Sequence, residues 1–460
     1  MFFVREKSFY KTVFAIAIPI ALQNVVGTVL NMADTVMLGM VDSKTEETIA
    51  AAGYANQIYF LYALFIFGMC SGSAVLISQY WGKRDFVSIN RVTGISLISS
   101  LGLGLIFTVC CFIFAPGIIS VFTSSKEVVD MGAGYLRIVI FSYLPATLTL
   151  IIGGSLRSTE QVKIVLFTNV SAVFINIVLN YTLIFGKFGA PVLGIYGAAY
   201  ATLIARIIEC LIILVYVIFF EKRVNYRIKL MLRPGKTLIR DFIRYSSPVI
   251  FNETLWGLGI TIHSVVYGNM SDDIFAAYAI ASVLERIGIL FAMGFSNAAG
   301  IIVGREIGAG REKNVMKYSK IMLFFSAASV LIIFSVIVLF RDSIIGIYGN
   351  IDIETASTVS NLLLIMLLIT TIKGYNTCAI VGTIRAGGDT VAAMIIDISL
   401  MYFVALPLGF LTAFVFNAPI YLVYIALMSD EILKVAVDTV YIASGRWIRS
   451  VTRDNPEQVK

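Results

Sequence analysis

The sequence predicts an all-α integral membrane protein: twelve transmembrane helices in two pseudo-symmetric six-helix lobes. Three observations predict it. Hydrophobic residues make up 58% of the 460 residues and charged ones only 14%, where a soluble protein carries about a quarter charged. So little charge cannot clothe a water-facing surface, and lipid must cover most of it. Twelve apolar segments are each long enough to cross roughly 30 Å of hydrocarbon as a helix. Finally, the chain is written twice. Residues 19–39 return as 248–268, with Pro19 on Pro248, Val36 on Val265 and Gly39 on Gly268. After one slip in register, Ala51 falls on Ala277, Ala55 on Ala281, Gly68 on Gly294 and Gly82 on Gly308. Later, Gly154-x-x-Arg157 falls on Gly382-x-x-Arg385, and Ser171 on Ser399.

The first segment, 12–39, follows Arg5, Lys7 and Lys11. No small-residue cleavage site comes after it and its apolar run carries Asn24, Asn31 and Asp34, so it reads as a span and not as a signal peptide. Segments 50–80, 92–115, 132–156, 163–186 and 194–220 complete a first lobe over 1–220. A basic linker over 221–239 follows. Segments 240–269, 275–304, 317–340, 357–385, 391–416 and 419–443, with the tail, make a second lobe over 240–460. Six helices per half send both copies through the membrane in the same direction, related by a pseudo-two-fold axis along the membrane normal.

The termini and the connections after even-numbered helices hold 26 of the 35 basic residues; the opposite connections hold only Lys44, Lys126, Lys187 and Arg341. That asymmetry places both termini in the cytoplasm, in the cell membrane. It also accounts for the net charge of +7 without a nucleic-acid partner. The linker, the longest and most basic connection, joins the halves and suits anionic lipid heads. Its Gly235-Lys236-Thr237 matches the end of a phosphate loop, but the first glycine of that motif would stand at Leu230, so no nucleotide site is expected. Any uphill transport would draw on an ion gradient. The five cysteines all fall in apolar stretches, with neither a disulfide framework nor a zinc spacing.

Each polar group inside the membrane needs a reason, because a charge at mid-bilayer costs on the order of 2.5–3.5 kcal/mol. Asn24, Thr28, Asn31 and Asp34 share one face of helix 1. Asn169, Asn176 and Asn180 share one face of helix 5. Asp34 and Asn180 lie at similar depth with Asn176 one turn deeper, and one carboxylate with two amide oxygens can hold a hard cation or a proton. A helix-packing hydrogen-bond cluster is the alternative. In helix 7, Glu253, Trp256, Ile260 and His263 share a face. In helix 8, Tyr278, Ser282 and Glu285 do so, with Arg286 adjacent. Glu253 and Glu285 with Arg286 form either a proton- or cation-handling set or a static network with Glu285 neutralised by Arg286. His263, the single histidine, is expected to be a satisfied hydrogen bonder. Lys373 and Asp397 are further buried charges.

Four segments together resemble the multidrug and toxic compound extrusion (MATE) transporters: Pro19 through Asp34-Thr-Val-Met-Leu-Gly39; Asn176-Ile-Val-Leu-Asn180-Tyr-Thr-Leu-Ile-Phe-Gly186; the stretch from Ala277-Tyr278 to Glu285-Arg286; and Ile384-Arg385-Ala-Gly-Gly-Asp389-Thr. The resemblance spans nearly the whole chain. It implies a V-shaped pair of six-helix lobes that exports amphipathic, often cationic, small molecules against Na⁺ or H⁺, with no other cofactor and no enzymatic activity. It also implies a cation site built from the helix 1 aspartate and two helix 5 residues, here Asp34, Asn176 and Asn180. Some members carry aspartate at the second helix 5 position; Asn180 leaves this site one carboxylate. A helix 7 glutamate serves in some members, and Glu253 sits in that helix. A monomer is expected. Two other readings stay open: a flippase of lipid-linked precursors, which would need more cationic lining, and a membrane scaffold or receptor that transports nothing.

Overall fold

A computed structural model describes residues 6–40, 45–346 and 352–453; the side chains of Asn31, Thr45 and Asp272 also lie outside the described set, and with Asn31 one member of the predicted helix 1 face. Among the described residues the regular structure is entirely helical. Eleven helical stretches are long and apolar enough to span a membrane. They include α1 (Lys7–Gly39), α2 (Thr45–Lys83), α3 (Phe86–Ile119), α4 (Lys126–Val139) continued by α5 (Tyr143–Ser158), α6 (Val162–Phe185) and α7 (Gly194–Val215). A short α8 (Ile228–Met231) lies in the linker. The second half holds α9 (Lys236–Gly268), α10 (Asp272–Gly308) and α11 (Glu312–Leu339), then a short α12 (Arg341–Gly346) and α13 (Ile353–Thr377). A π-helical turn over Cys378–Arg385 extends α13. The next span runs from α14 (Thr390–Leu400) through π-helical turns around α15 (Leu406–Phe410). The twelfth predicted segment is broken at Met428 into α16 (Ile420–Leu427) and α17 (Ser429–Ala443). Four charged residues, Asp430, Glu431, Lys434 and Asp438, make α17 too polar to stand alone in lipid; all four are buried.

By contacts the chain divides into two compact units. One comprises Leu22–Ile77 and Asp85–Ile243, the other Met1–Ala21, Ser78–Arg84 and Arg244–Lys460. We call them the first-repeat and second-repeat units. This division departs from the sequence repeat at two places: the start of α1 and the end of α2 belong with the second-repeat helices.

The core of each unit uses matching positions. Ala51 and Ala55 are fully buried beside Tyr62 and Tyr143 in the first-repeat unit. Their counterparts Ala277 and Ala281 are fully buried beside Tyr267 and Tyr424 in the second. Small residues at such positions let helices approach, which is how membrane helices gain contact when lipid removes the hydrophobic drive between them. The repeated Gly-x-x-Arg corner works in the same way. A Cβ at Gly154 would collide with the Cys70 sulfur, and one at Gly382 would lie 2.5 Å from the Ser296 carbonyl oxygen.

In the second-repeat unit the last turns of α2 cross the last turns of α10 with backbone against backbone. A Cβ on Gly82 would strike the Arg305 carbonyl, and one on Gly308 would strike the Gln79 carbonyl. The same repeat position thus supplies the bare backbone on both sides. The fully buried Gln79 then ties in the tail: its amide nitrogen donates to the Ala386 and Arg449 carbonyls at 3.3 and 3.1 Å, and its oxygen accepts from Val451 N–H at 2.8 Å. Trp447 is fully buried beside this strap.

The basic linker is folded onto the first-repeat unit. The Glu221 carboxylate accepts the backbone N–H groups of Arg223, Val224 and Asn225 and the Gln161 amide. Arg227 N–H donates to Asn90 Oδ1 at 2.7 Å.

Candidate functional site

In the first-repeat unit the polar faces of α1 and α6 meet as their matched depth predicts. Asn180 Nδ2 donates to Asp34 Oδ1 at 2.5 Å and to Asn176 Oδ1 at 2.9 Å. The i,i+4 spacing of Asn176 and Asn180 puts both amides on one face of α6. Asn176 in turn donates to Thr202 Oγ1 on α7 at 3.4 Å. Asp34 is half-buried, while Asn176 and Asn180 are buried. The Asn180 carbonyl oxygen is buried with no hydrogen-bond partner. An orphaned acceptor beside a carboxylate carries an energetic penalty that a bound cation would relieve. The donor set is all oxygen, which suits a hard monovalent ion or a proton. Among the described residues no group of three His, Cys, Asp or Glu side chains could hold a metal ion.

One turn along α7 lies a pair that sequence reasoning did not assemble. Arg206 Nη1 and Glu209 Oε2 are 2.8 Å apart, and Asn169 of α6 donates to the other Glu209 oxygen at 3.2 Å. They line a cavity of about 110 Å³ with Tyr59, Tyr62 and Arg157. The signal was visible: Arg206 and Glu209 stand three residues apart on one face of an otherwise apolar helix. Asn169, read as part of the Asn176–Asn180 face, bonds Glu209.

The second-repeat unit arranges its charges differently from the expectation. Glu285 does not neutralise Arg286. Neighbours in sequence point about 100° apart around a helix, so Glu285 faces inward and Arg286 is exposed. Glu285 instead takes Lys373 of α13 at 2.8 Å, with the Tyr424 hydroxyl at 3.4 Å. Glu253 takes Arg385 at 2.7 Å. The guanidinium also donates to Asn252 Oδ1 at 2.7 Å, and Asn252 donates to Asp397 at 2.8 Å. Asp397 closes on Lys434 of α17 at 2.7 Å, and Lys434 also meets Asp430 at 2.9 Å and Glu431 at 3.5 Å. Glu253 and Glu285 therefore each close their own ion pair, with Arg385 and Lys373 as the cations, while Lys434 serves Asp397, Asp430 and Glu431. The π-helical turn at Cys378–Arg385 shifts the register of the chain where Arg385 turns in.

His263 is buried and neither ring nitrogen has a hydrogen-bond partner, which overturns its expected role as a satisfied bonder. Lys373, Glu285 and Lys434 lie within electrostatic reach of the ring, yet none of them bonds it. Tyr278, placed in the same layer by the sequence, stacks on Tyr267 with ring centroids 4.0 Å apart.

The MatE family model matches the chain twice, over residues 19–182 and 248–411. The two matches begin at the paired Pro19 and Pro248. The chain is 24% identical to a probable multidrug resistance protein NorM of Thermotoga maritima, over 95% of this chain and 93% of that protein. It is 29% identical to a probable multidrug resistance protein YoeA of Bacillus subtilis, over 88% and 87%. In fold it is similar to a multidrug resistance MATE family transporter of the MOP superfamily solved in an outward-facing conformation, with a TM-score of 0.85, 18% identity and coverage of 96% and 97%. A MATE structure in a bent conformation superposes with a TM-score of 0.84 at 18% identity, covering 95% of each chain. With the family matched in both halves, this chain belongs to the MATE family of membrane transporters.

Proposed function

We propose that this transporter is a secondary active multidrug efflux antiporter. It moves amphipathic, often cationic, small molecules out of the cell by alternating access, driven by H⁺ or Na⁺. The observation that carries the reading is the Asp34 carboxylate, held by Asn180 beside the unpartnered Asn180 oxygen. A membrane-embedded carboxylate in that setting is a site for an exchanging cation. The names of the curated relatives support small drug-like substrates. The charge asymmetry of the connections supports the cell membrane as its location with both termini cytoplasmic. The flippase reading loses support because Arg385, Lys373 and Lys434 are each engaged by carboxylates, which leaves them poor partners for a pyrophosphate.

The test is Asp34→Asn in proteoliposomes, with Na⁺ and pH gradients imposed separately. The variant is expected to fold and to lose gradient-driven efflux of a cationic dye. Unchanged efflux in that variant would remove Asp34 from the coupling mechanism.

A further inference from the structure

Among the described residues, one charged network inside the second-repeat unit holds more carboxylates than cations. Its interior network holds six carboxylates: Glu253, Glu285, Asp397, Asp430, Glu431 and Asp438. It holds three cations, Arg385, Lys373 and Lys434. Two of the cations are taken one-to-one by Glu253 and Glu285. Lys434 is then left with Asp397, Asp430 and Glu431 around a single ammonium, and with Asp438 within electrostatic reach.

Asp438 is the member that matters. It is 0% exposed, and neither carboxylate oxygen has a hydrogen-bond partner. It lies one turn beyond Lys434, on the face of α17 that carries Asp430 and Lys434 at i,i+4 steps. An isolated ionised carboxylate in such a place costs far more than protonating it, and carboxylates crowded around one cation share protons instead of all ionising. A metal ion would need several oxygens around it, whereas neither Asp438 oxygen has a hydrogen-bond partner, so the missing positive charge is best supplied as a proton.

We propose that the second-repeat unit has its own proton-binding site, centred on Asp438 with Asp397 and Lys434, and that its proton exchanges with bulk water during the transport cycle. The inference rests on the antiport reading for its place in transport. It goes beyond that reading by adding a second coupling site, on α17, separate from Asp34. In the step, the Asp438 O–H bond breaks, the proton passes to water and the electron pair stays on the carboxylate. Lys434 keeps its ammonium throughout and receives the new negative charge beside it.

The surroundings of α17 bear on the pH response. From α13 come Lys373, Tyr375 and Asn376. From the π-helical turn come Cys378 and Arg385, the latter carrying Glu253. Asp397 comes from α14, Tyr402 from the turn after it, and Tyr424 from α16. Tyr375 bonds Thr439 at 2.8 Å, and Asn376 bonds Glu431 at 2.8 Å, so both are satisfied without Asp438. None of these contacts gives Asp438 a hydrogen bond.

The experiment is infrared difference spectroscopy of the full chain between acid and alkaline pH, reading the carbonyl stretch of protonated carboxylic acids. The wild type is expected to show this band; Asp438→Asn should lose one carboxyl's share of it. A variant spectrum that superimposes on the wild type overturns the proposal. Where Asp438→Asn does not assemble, Asp438→Glu replaces it: a shifted carboxyl band supports the site, and an unshifted spectrum overturns it. In proteoliposomes, Asp438→Asn should lower proton-gradient-driven ethidium transport at least tenfold with ethidium binding retained; an unchanged driven rate overturns the coupling role. The infrared result needs no transport. Failure of wild-type protein to move ethidium under any gradient would therefore sink the antiport reading, while the band alone decides the site.

Discussion

The interiors of the two repeats share packing positions and differ in charge. Around Asp34 the first-repeat unit sets amides and a threonine against one carboxylate, with the Arg206–Glu209 ion pair one turn along α7. The second-repeat unit instead holds a chain of ion pairs and hydrogen bonds running from Glu253 through Arg385, Asn252 and Asp397 to Lys434. The alanines and glycines that let helices approach recur in both halves, as Ala51 with Ala277, Ala55 with Ala281 and Gly82 with Gly308. A duplicated membrane fold must keep its close-packed contacts in each copy, because those contacts are what hold its helices together. Polar groups carry no such obligation in both copies, so one can hold a sparse ion site and the other a dense network.

The comparison breaks most visibly at Lys434. Lys434→Met strands Asp397, Asp430 and Glu431 and should cost about 3–5 kcal/mol, the range for removing one partner of a buried ion pair. The expected outcome is loss of folded protein in a detergent melting assay. Arg206→Met, in the sparser unit, leaves Glu209 with its Asn169 bond and should melt at clearly higher temperature than Lys434→Met; equal losses would erase the contrast. Next in size, Gly82→Leu and Gly308→Leu each push a side chain into backbone and should destabilise by about 1–3 kcal/mol. Their reciprocal geometry predicts similar melting shifts for the two, and a large inequality would argue against a shared crossing. Asn180→Asp sharpens the first-repeat side by returning a second carboxylate to the Asp34 site. Na⁺ should then bind roughly tenfold tighter, about 1.4 kcal/mol, as read by calorimetry; unchanged affinity would remove the pair of side chains from cation binding. Smallest of all, Arg286→Ala should change stability by no more than about 0.5 kcal/mol, as expected of an exposed residue, whereas Lys373→Ala should approach the Lys434 effect.

Those pairings also mark what could be read from the chain. Eleven of the twelve spans were legible as uninterrupted apolar length, because lipid imposes that length directly. The break at Met428 was not, since the apolar run 419–443 passes across it and the charges of α17 are compensated in part by α13 and α14. The Asp34–Asn180 contact was legible because both stand at matched depth on helices of the same direction. The partner of Glu285 was not. Sequence adjacency suggested Arg286, but helix rotation turned it outward and brought Lys373 from 88 residues away. Chain position reports depth in a membrane well and rotation about neighbouring helices poorly, and rotation decides which charges meet. The polar residues of α17 belong to the same lesson: the network they complete spans four helices that no local pattern connects.

The strap around Gln79 has a consequence for how the molecule is made. Gln79 sits in α2, yet its side chain is completed by the Arg449 carbonyl and the Val451 amide, some 370 residues later. Until residues 449–451 are synthesised, that buried amide lacks two of its three contacts, and the end of α2 lacks that support. Closure of this corner therefore couples α2 to residues far along the chain: a chain cut short of Val451 leaves a buried glutamine unsatisfied.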